Sequence, residues 1–243
     1  MAYGTTPDLF NKYIKIGEKM TTLCLDNFCK CVFHLFVREY LRKPTAEDIA
    51  RLYNFHAQKY GLPGMFGSID CMHWEWKNCP VAWQGQYTRG DKKGSSIMLE
   101  AVASQDLWIW HGFFGMTSAN NDINVLNYSP LFNSVKDGTA PLLPFDVNEH
   151  HYDRGYYLGG RFAMLKTPAR SLDFNKIRRH MYDCLVLHIM IQENKGFVIG
   201  RREERMIERN PPRRSERDLR DRDARVKEIR DRQVHKKLKA DLT

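Results

Sequence analysis

The segment MFGSIDCMHWEW, residues 65–76, opens a run of three apolar stretches that decides the fold. The other two stretches cover residues 95–104 and 107–116, and all three are rich in Ile, Val, Phe and Trp. Clusters of Gly, Asp and Lys separate them, which is typical of strands joined by short turns. Three consecutive strands with short connections predict an antiparallel meander.

Two helical patterns precede these strands. Apolar residues recur at helical spacing across residues 9–41. A second helix has a start resembling a capping box at Thr45 and Asp48 and a stop signal at Gly61. Such a pair resembles a helix-turn-helix DNA reader, but no basic face stands out, so we favour an N-terminal helical lobe packed on the core.

The chain after the meander alternates between helix and strand signals. Residues 120–122, Asn-Asn-Asp, can cap a short helix over INVLNYSPLF. Residues 153–158 and 162–166 fit short strands, and residues 171–193 carry the apolar stripe of an amphipathic helix. Pro211-Pro212 separates this body from a charged tail.

Composition excludes wholesale disorder, because 42% of the 243 residues are hydrophobic, which is enough to build a core. The longest apolar stretches, such as residues 108–116, fall short of the roughly 20 residues of a membrane span. The N-terminus shows no apolar signal-peptide region. The six Cys lack paired CxxC spacing. We therefore expect a soluble intracellular protein with reduced and mostly buried thiols.

The net charge of +9 is concentrated in the tail. Residues 201–243 contain 16 Lys and Arg against 10 Asp and Glu, a net charge of +6. A cationic tail is attracted to phosphate backbones of any sequence. A run of mixed sign such as RSERDLRDRDARVKEIRDR is more typical of a solvated helix with many ion pairs.

Asp70 is the first residue with a candidate catalytic role. It ends an apolar run, where burial of a carboxylate is costly without a cation or hydrogen-bond donors. Strand alternation predicts Asp70, Met72 and Trp74 on one face and Cys71 and His73 on the other, so Asp70 and His73 need not converge. From the residues alone, a capped structural Asp is the more common case.

Four segments together resemble the plant branch of the PIF/Harbinger transposase family. They are GSIDCMHWEWKNCPVAWQGQY (67–87), LEAVASQDLWIWHGFFG (99–115), NNDINVLNYSPLF (120–132) and HYDRGYYL (151–158). The resemblance runs from about residue 41 to 158 and resumes over about 161–193.

This resemblance implies an RNase H-like fold and a DDE active site, in which two Asp and one Glu hold two divalent metals, Mg or Mn, for DNA cleavage and strand transfer. Such metals clamp the attacking and leaving oxygens of an in-line displacement. Asp70 in GSIDCMHW corresponds to the first Asp of this triad.

The chain departs from the family pattern directly after GYYL (155–158). The family places its second Asp there and its Glu on a later helix, whereas this sequence continues with Gly159-Gly160 and RFAML (161–165). The block that would carry both carboxylates is absent, and residues 154–172 contain no Asp or Glu. A genomic deletion and a wrongly assigned intron would produce the same protein sequence, and a transcript containing the block would restore the enzyme.

Other acidic residues of the chain are poor substitutes for the second Asp and the Glu of the family's triad. Asp122 fits an N-terminal helix cap, Asp153 lies inside the strand before the family position, and Asp173 opens the last helix. The cluster of Asp and His over residues 146–153 has metal-ligand residue types, but adjacent His on a strand point apart, so a polar hairpin is the favoured interpretation.

We expect a protein of DDE nuclease ancestry that is catalytically inactive, with weak, non-specific DNA binding. Asp70 would be its remnant catalytic residue and would bind metal weakly, if at all. The DNA-contact candidates are Arg89, Lys92, Lys93, Arg213 and Arg214. The alternative is a non-enzymatic protein-interaction module domesticated from a transposase.

The family resemblance also implies a separate Myb-like DNA-binding partner and, together with the clusters PPRR and HKKLK, a nuclear location. No membrane association is expected. The predicted architecture is a truncated RNase H-like α/β domain over residues 63–195, after a helical region over 1–62 and before a basic tail, helical or disordered, over 196–243.

Overall fold

The computed structural model describes residues 15, 17–90, 93–160, 168–196 and 232–242. Within them the elements follow one another in this order: α1 (Glu18–Tyr40), α2 (Ala46–Tyr60), β1 (Met65–Glu75), α3 (Val81–Tyr87), β2 (Ser96–Ala103), β3 (Ile109–Thr117), α4 (Asp122–Tyr128), a 3-10 turn (Pro130–Phe132), α5 (Asn133–Lys136), β4 (Phe145–Val147), β5 (His150–Tyr152), β6 (Tyr156–Gly159), α6 (Phe174–Asn194) and α7 (Arg232–Asp241).

The main sheet has the strand order β3-β2-β1-β6. Strands β1, β2 and β3 pair antiparallel, which confirms the predicted meander. Strand β6 runs parallel to β1, because its hydrogen bonds advance in the same direction, from Tyr156 N to Gly64 O (3.0 Å) and from Gly160 N to Ile69 O (2.8 Å). The sheet is therefore mixed, and the fold is the RNase H-like α/β architecture that was predicted.

By its internal contacts the chain divides into two compact units. The first comprises Met1–Lys43, Ser68–Tyr128 and Gly159–Val198, and the second comprises Pro44–Gly67, Ser129–Leu158 and Ile199–Thr243. The boundaries predicted at residues 62 and 195 stay a prediction.

In the first unit, helix α6 packs on both β3 and α1. Leu185 occupies the space over Gly112 of β3, and Phe174 lies over Gly115. Helices α1 and α6 run in the same direction, because Asp26 pairs with Lys176 (2.7 Å) near their starts and the Tyr40 hydroxyl donates to Glu193 Oε2 (2.9 Å) near their ends. The predicted helix over 171–193 is confirmed, beginning at the N-cap Asp173.

In the second unit, α2 has the ends that its sequence predicts. Thr45 and Asp48 form a complete capping box, and Gly61 ends the helix in the left-handed conformation. The buried His56 hydrogen-bonds through Nδ1 to Met65 O (3.0 Å), so this polar residue on an apolar helix face is satisfied. The core of this unit contains Ile49, Leu52 and Met65, and the half-buried rings of Phe66 and Tyr157 stack beside it with centroids 5.3 Å apart.

Some predictions need correction or lie outside the described residues. The fourth predicted strand, 153–158, forms instead over Tyr156–Gly159, after a separate β4–β5 hairpin. Helix α3 was not predicted. The start of the first predicted helix, residues 9–14, and the strand over 162–166 lie outside the described residues.

The thiols are less buried than predicted. Cys29 and Cys79 are buried, Cys71 and Cys184 are half-buried, and Cys24 and Cys31 are exposed; none of the six is in a disulfide. Length and composition alone would allow the helix over Lys19–Tyr40 to cross a membrane, a test that core helices of soluble proteins also pass.

Asp183 is a buried carboxylate on α6, beside Cys29 of α1. Within the described residues neither of its oxygens has a hydrogen-bond partner of ordinary geometry, and the neighbouring thiol is only a weak donor. Burial raises the pKa of Asp183 from 3.8 to about 6, against the opposing effects of Cys29 and Arg179. The folded protein therefore holds this proton to higher pH than the unfolded chain.

We predict that Asp183→Asn stabilises the protein above pH 6. Because the folded-state pKa is raised, the wild-type free energy of unfolding falls as pH rises from 3.8 to about 6, by about 3 kcal/mol. The amide does not titrate, so the gain should vanish below pH 4. Urea unfolding of both proteins at several pH values measures this difference.

The matched control is Asp153→Asn, because the Asp153 side chain is 68% exposed. This substitution should change the free energy of unfolding by less than about 0.5 kcal/mol. If Asp183→Asn behaved like the control, or destabilised the protein at pH 7, the proposed cost of the buried carboxylate would be wrong.

Candidate functional site

Asp70 lies in the middle of β1, half-buried and directly opposite Ala101 of β2. The strand register places it on one face of the sheet, together with Trp74, whose ring contacts Phe114 at a centroid distance of 5.9 Å. His73 lies on the other face and contacts Arg89 instead. The predicted alternation, which puts Asp70 and His73 on opposite faces of the strand, is confirmed.

The backbone beside Asp70 on the β6 side is a pair of glycines. Gly160 N donates to Ile69 O (2.8 Å), so Gly159-Gly160 runs alongside Ile69 and Asp70. Further along, Ala169 N donates to Glu75 O (2.7 Å) and Lys77 N donates to Ala169 O (2.9 Å), which extends the pairing to the end of β1. The position that the family resemblance assigns to a second carboxylate is therefore occupied by residues without side-chain ligands.

The acidic residues considered as substitutes have structural roles. Asn121 Oδ1 accepts a hydrogen bond from Asn124 N (2.8 Å), so the predicted cap of α4 is confirmed with Asn121 as its acceptor and Asp122 as the first helical residue. Asp173 caps α6 by accepting from Asn175 N (2.8 Å) and Lys176 N (3.4 Å).

The cluster over residues 146–153 is a polar hairpin, as predicted. His151 contacts Asp146 through Nδ1 (2.7 Å) and Asp153 through Nε2 (3.5 Å), both at the surface. His150 points elsewhere, with Nδ1 3.2 Å from Asp241 Oδ2. Within the described residues no group of three or more His, Cys, Asp or Glu is arranged to hold a metal ion.

Sequence reasoning missed a buried polar pair on the opposite sheet face. Glu100 is fully buried in the middle of β2, and its Oε1 lies 3.5 Å from His111 Nε2 on β3. Burial, helped by the charge of Lys43, lowers the pKa of His111 to about 4. The ring is therefore neutral, and we treat the contact with Glu100 as a polar contact of a neutral imidazole rather than an ion pair. The sequence signal for this buried pair was Glu100 itself, a charged residue inside the apolar run LEAVA (99–103).

Cys71 lies directly opposite Glu100 in the strand register. Burial, followed by the charges of Glu100, Asp122 and Asp70, raises the pKa of Cys71 to about 12. A thiol is nucleophilic only as the thiolate, so Cys71 is chemically inert at neutral pH. This face of the sheet is polar but does not contain an activated nucleophile at Cys71.

The predicted DNA-contact residues are only partly described. Arg89 follows α3, with Nη1 3.2 Å from His73 Nε2, and Lys93 is exposed in the turn before β2. Lys92, Arg213 and Arg214 lie outside the described residues. None of these placements tests DNA contact, which stays a prediction.

The strand order and the mixed pairing define a mixed α/β protein and do not conflict with the predicted RNase H-like architecture. A family model described as plant transposon protein matches residues 38–160, just over half of the chain, and the chain belongs to this family. No curated protein and no solved structure matches the chain.

Two histidines should titrate on opposite sides of the ordinary pKa of 6.5. Burial lowers the pKa of His111 to about 4, whereas the Asp146 hydrogen bond raises the pKa of His151. Nuclear magnetic resonance titration of the imidazole signals measures both values. His111 should stay neutral down to about pH 5, and any stability it contributes should be lost as pH falls from 6.5 towards 4.

His111→Gln and His151→Gln assign the two signals and serve as matched controls for each other. Titration of His111 near 6.5 would mean that the contact with Glu100 is an ion pair accessible to solvent, contrary to the burial of both groups.

Proposed function

We propose that this plant transposon protein derives from a PIF/Harbinger-type DDE transposase and has lost its nuclease activity. The observation that supports the loss is the hydrogen bond from Gly160 N to Ile69 O, which places the Gly159-Gly160 joint beside Asp70. In the family pattern this neighbourhood carries the second Asp, and the Glu follows on a helix that the sequence lacks.

The chemistry explains why one carboxylate is not enough. A two-metal mechanism needs cations about 3.5–4 Å apart, held by acidic side chains that offset their charge and fix their geometry. Glu100, the nearest acidic residue along β2, lies on the opposite face of the sheet, because it pairs with Cys71 and not with Asp70. The described residues therefore do not fit a centre for two Mg or Mn ions.

Residual DNA binding is the second part of the proposal. The tail over residues 201–243 has a net charge of +6, and Arg89 and Lys93 flank the turn before β2. Contacts of this kind reach phosphates and carry no sequence information. We therefore propose weak, non-specific binding, a nuclear location, and target choice by a Myb-like partner protein as in the family.

A second candidate function rests on the exposed face of α1. Met20, Leu23, Phe28 and Leu35 are each about half exposed or more, at 54%, 54%, 49% and 68%. Apolar surface of this kind is typical of protein-binding sites. It favours the alternative in which the transposase body serves as a non-enzymatic interaction module.

We predict no metal-dependent nicking of supercoiled plasmid DNA by the full-length chain. In Mg or Mn, the wild-type protein and Asp70→Ala should give the same background of relaxed circles, because the Gly159-Gly160 backbone beside Asp70 supplies no carboxylate and Glu100 lies on the opposite face of the sheet. Gel analysis over a protein titration measures the rate.

Metal-dependent nicking that Asp70→Ala abolishes would overturn the inactive assignment. Sequencing of the transcript across Leu158 to Arg161 provides an independent check, since an additional block there would restore the missing ligands. Capture of one defined protein partner, lost when Phe28 and Leu35 are changed to Ser, would instead support the interaction module.

A further inference from the structure

Helix α7 presents two different faces. Helical spacing groups positions 238, 241 and 242 on one side and positions 233, 236, 237 and 240 on the other. The first group, Leu238, Asp241 and Leu242, is half-buried, whereas the second group, Gln233, Lys236, Lys237 and Ala240, is exposed. Lys239, between them, is exposed as well.

The half-buried face is attached to the β4–β5 hairpin through Asp241. Asn148 Nδ2 donates to Asp241 O (2.7 Å), the Tyr152 hydroxyl donates to Asp241 Oδ2, and His150 Nδ1 lies 3.2 Å from the same carboxylate oxygen. The hairpin turn has positive φ at Asn148 and Glu149 (47° and 65°). His150 and Tyr152 follow two residues apart on β5, so strand alternation places them on the same face of the hairpin.

These contacts counter an unfavourable charge. An acidic residue in the last turn of a helix opposes the helix dipole, whose C-terminal end is already negative. Asp241 occupies that turn. Its carboxylate accepts a hydrogen bond from the Tyr152 hydroxyl and lies 3.2 Å from His150 Nδ1, while Asn148 donates to its backbone carbonyl. The presence of an acidic residue at position 241 is therefore explained by its contacts with the hairpin, because an acidic residue there does not favour the helix itself.

Helix α7 carries a high density of positive charge. Arg232–Asp241 contains four Lys and Arg and one Asp, a net charge of +3 in ten residues. Residues 201–231 carry the same net charge of +3 over thirty-one residues, with 12 basic and 9 acidic residues mixed together. The only acidic residue of α7 is turned to the hairpin, so the exposed lysine face carries no opposing carboxylate of its own helix.

We propose that this exposed lysine face of α7 is the surface of the tail that contacts the phosphate backbone of double-stranded DNA, held in place by the hairpin. The inference rests on the proposed DNA binding and narrows it from the whole tail to Lys236, Lys237 and Lys239. A membrane surface fits less well, because an interfacial helix needs an exposed apolar face, whereas Leu238 and Leu242 are half-buried.

The first test measures binding of the full-length chain to a fluorescent DNA duplex over a range of salt concentrations. The triple variant Lys236→Gln, Lys237→Gln, Lys239→Gln should lower the slope of log K against log salt by about 2 to 3, since each lost phosphate contact removes about 0.9. Affinity at 100 mM salt should fall at least about tenfold.

The matched control removes the same charge from the mixed-sign part of the tail, with Arg213→Gln, Arg214→Gln and Arg217→Gln. We expect a change in slope of less than about 1. Equal losses in the two triple variants would overturn the assignment to α7 while leaving DNA binding intact. A wild-type chain that does not bind DNA would overturn the proposed DNA binding and this inference together.

The second test separates the attachment of α7 from its charge. Tyr152→Phe removes the hydroxyl donor but keeps the ring that stacks on Phe145, and Asp241→Asn removes a negative charge. If the hairpin holds the lysines for DNA, both variants should bind about 2- to 5-fold more weakly, because the ordering cost is then incurred on binding. Charge alone predicts no change for Tyr152→Phe and tighter binding for Asp241→Asn, and that result would overturn the role of the hairpin.

Hydrogen exchange of the α7 amides should become faster in Tyr152→Phe and Asp241→Asn, which would show that the attachment was weakened. Unchanged exchange in the other helices and strands would show that the rest of the protein is folded.

Sedimentation with vesicles containing phosphatidylserine tests the competing outcome, membrane binding. Vesicle binding that depends on the three lysines, without DNA binding, would assign the surface to membranes and overturn the proposal.

Discussion

Strand β1 must be hydrogen-bonded along both edges, and this requirement governs the rest of the structure. Strand β2 satisfies one edge over Ser68–Glu75. On the other edge Tyr156, Gly160 and Ala169 donate in turn to Gly64, Ile69 and Glu75, so a chain with a glycine joint still completes the sheet. Backbone pairing does not depend on side chains, so this edge of the sheet is completed even where the pairing residues are two glycines.

The same sheet and its helices carry buried polar groups at a cost in stability. Burial raises the pKa of Asp183 and lowers that of His111, so these groups oppose each other as pH changes. Glu100 and His111 lie on one sheet face and Asp70 on the other. Because acidic residues are divided between two faces, their number in the sequence does not translate into a metal centre within the part of the chain that the structure describes.

Local signals predicted the elements whose ends depend on neighbouring residues. The capping box at Thr45 and Asp48, the stop at Gly61 and the cap at Asp173 all form as their residue types predict. The β4–β5 hairpin was recognised only as a polar cluster, because its strands have three residues each and its turn is Asn-Glu where Asn-Gly would be the usual signal. Helix α3 was missed because its single buried residue, Tyr87, leaves no apolar stripe to detect.

The sequence alone determined the antiparallel meander, the alternation that separates Asp70 from His73, and the absence of acidic residues from 154 to 172. Each of these depends only on residue type and short-range spacing. Only the tertiary structure decided which backbone runs beside Asp70, that Glu100 is buried against His111, and that Asp241 attaches α7 to a hairpin about ninety residues earlier in the chain. Each of these results is a pairing between different elements, and such pairings are set by packing and hydrogen-bond satisfaction over a whole unit, which no local pattern encodes.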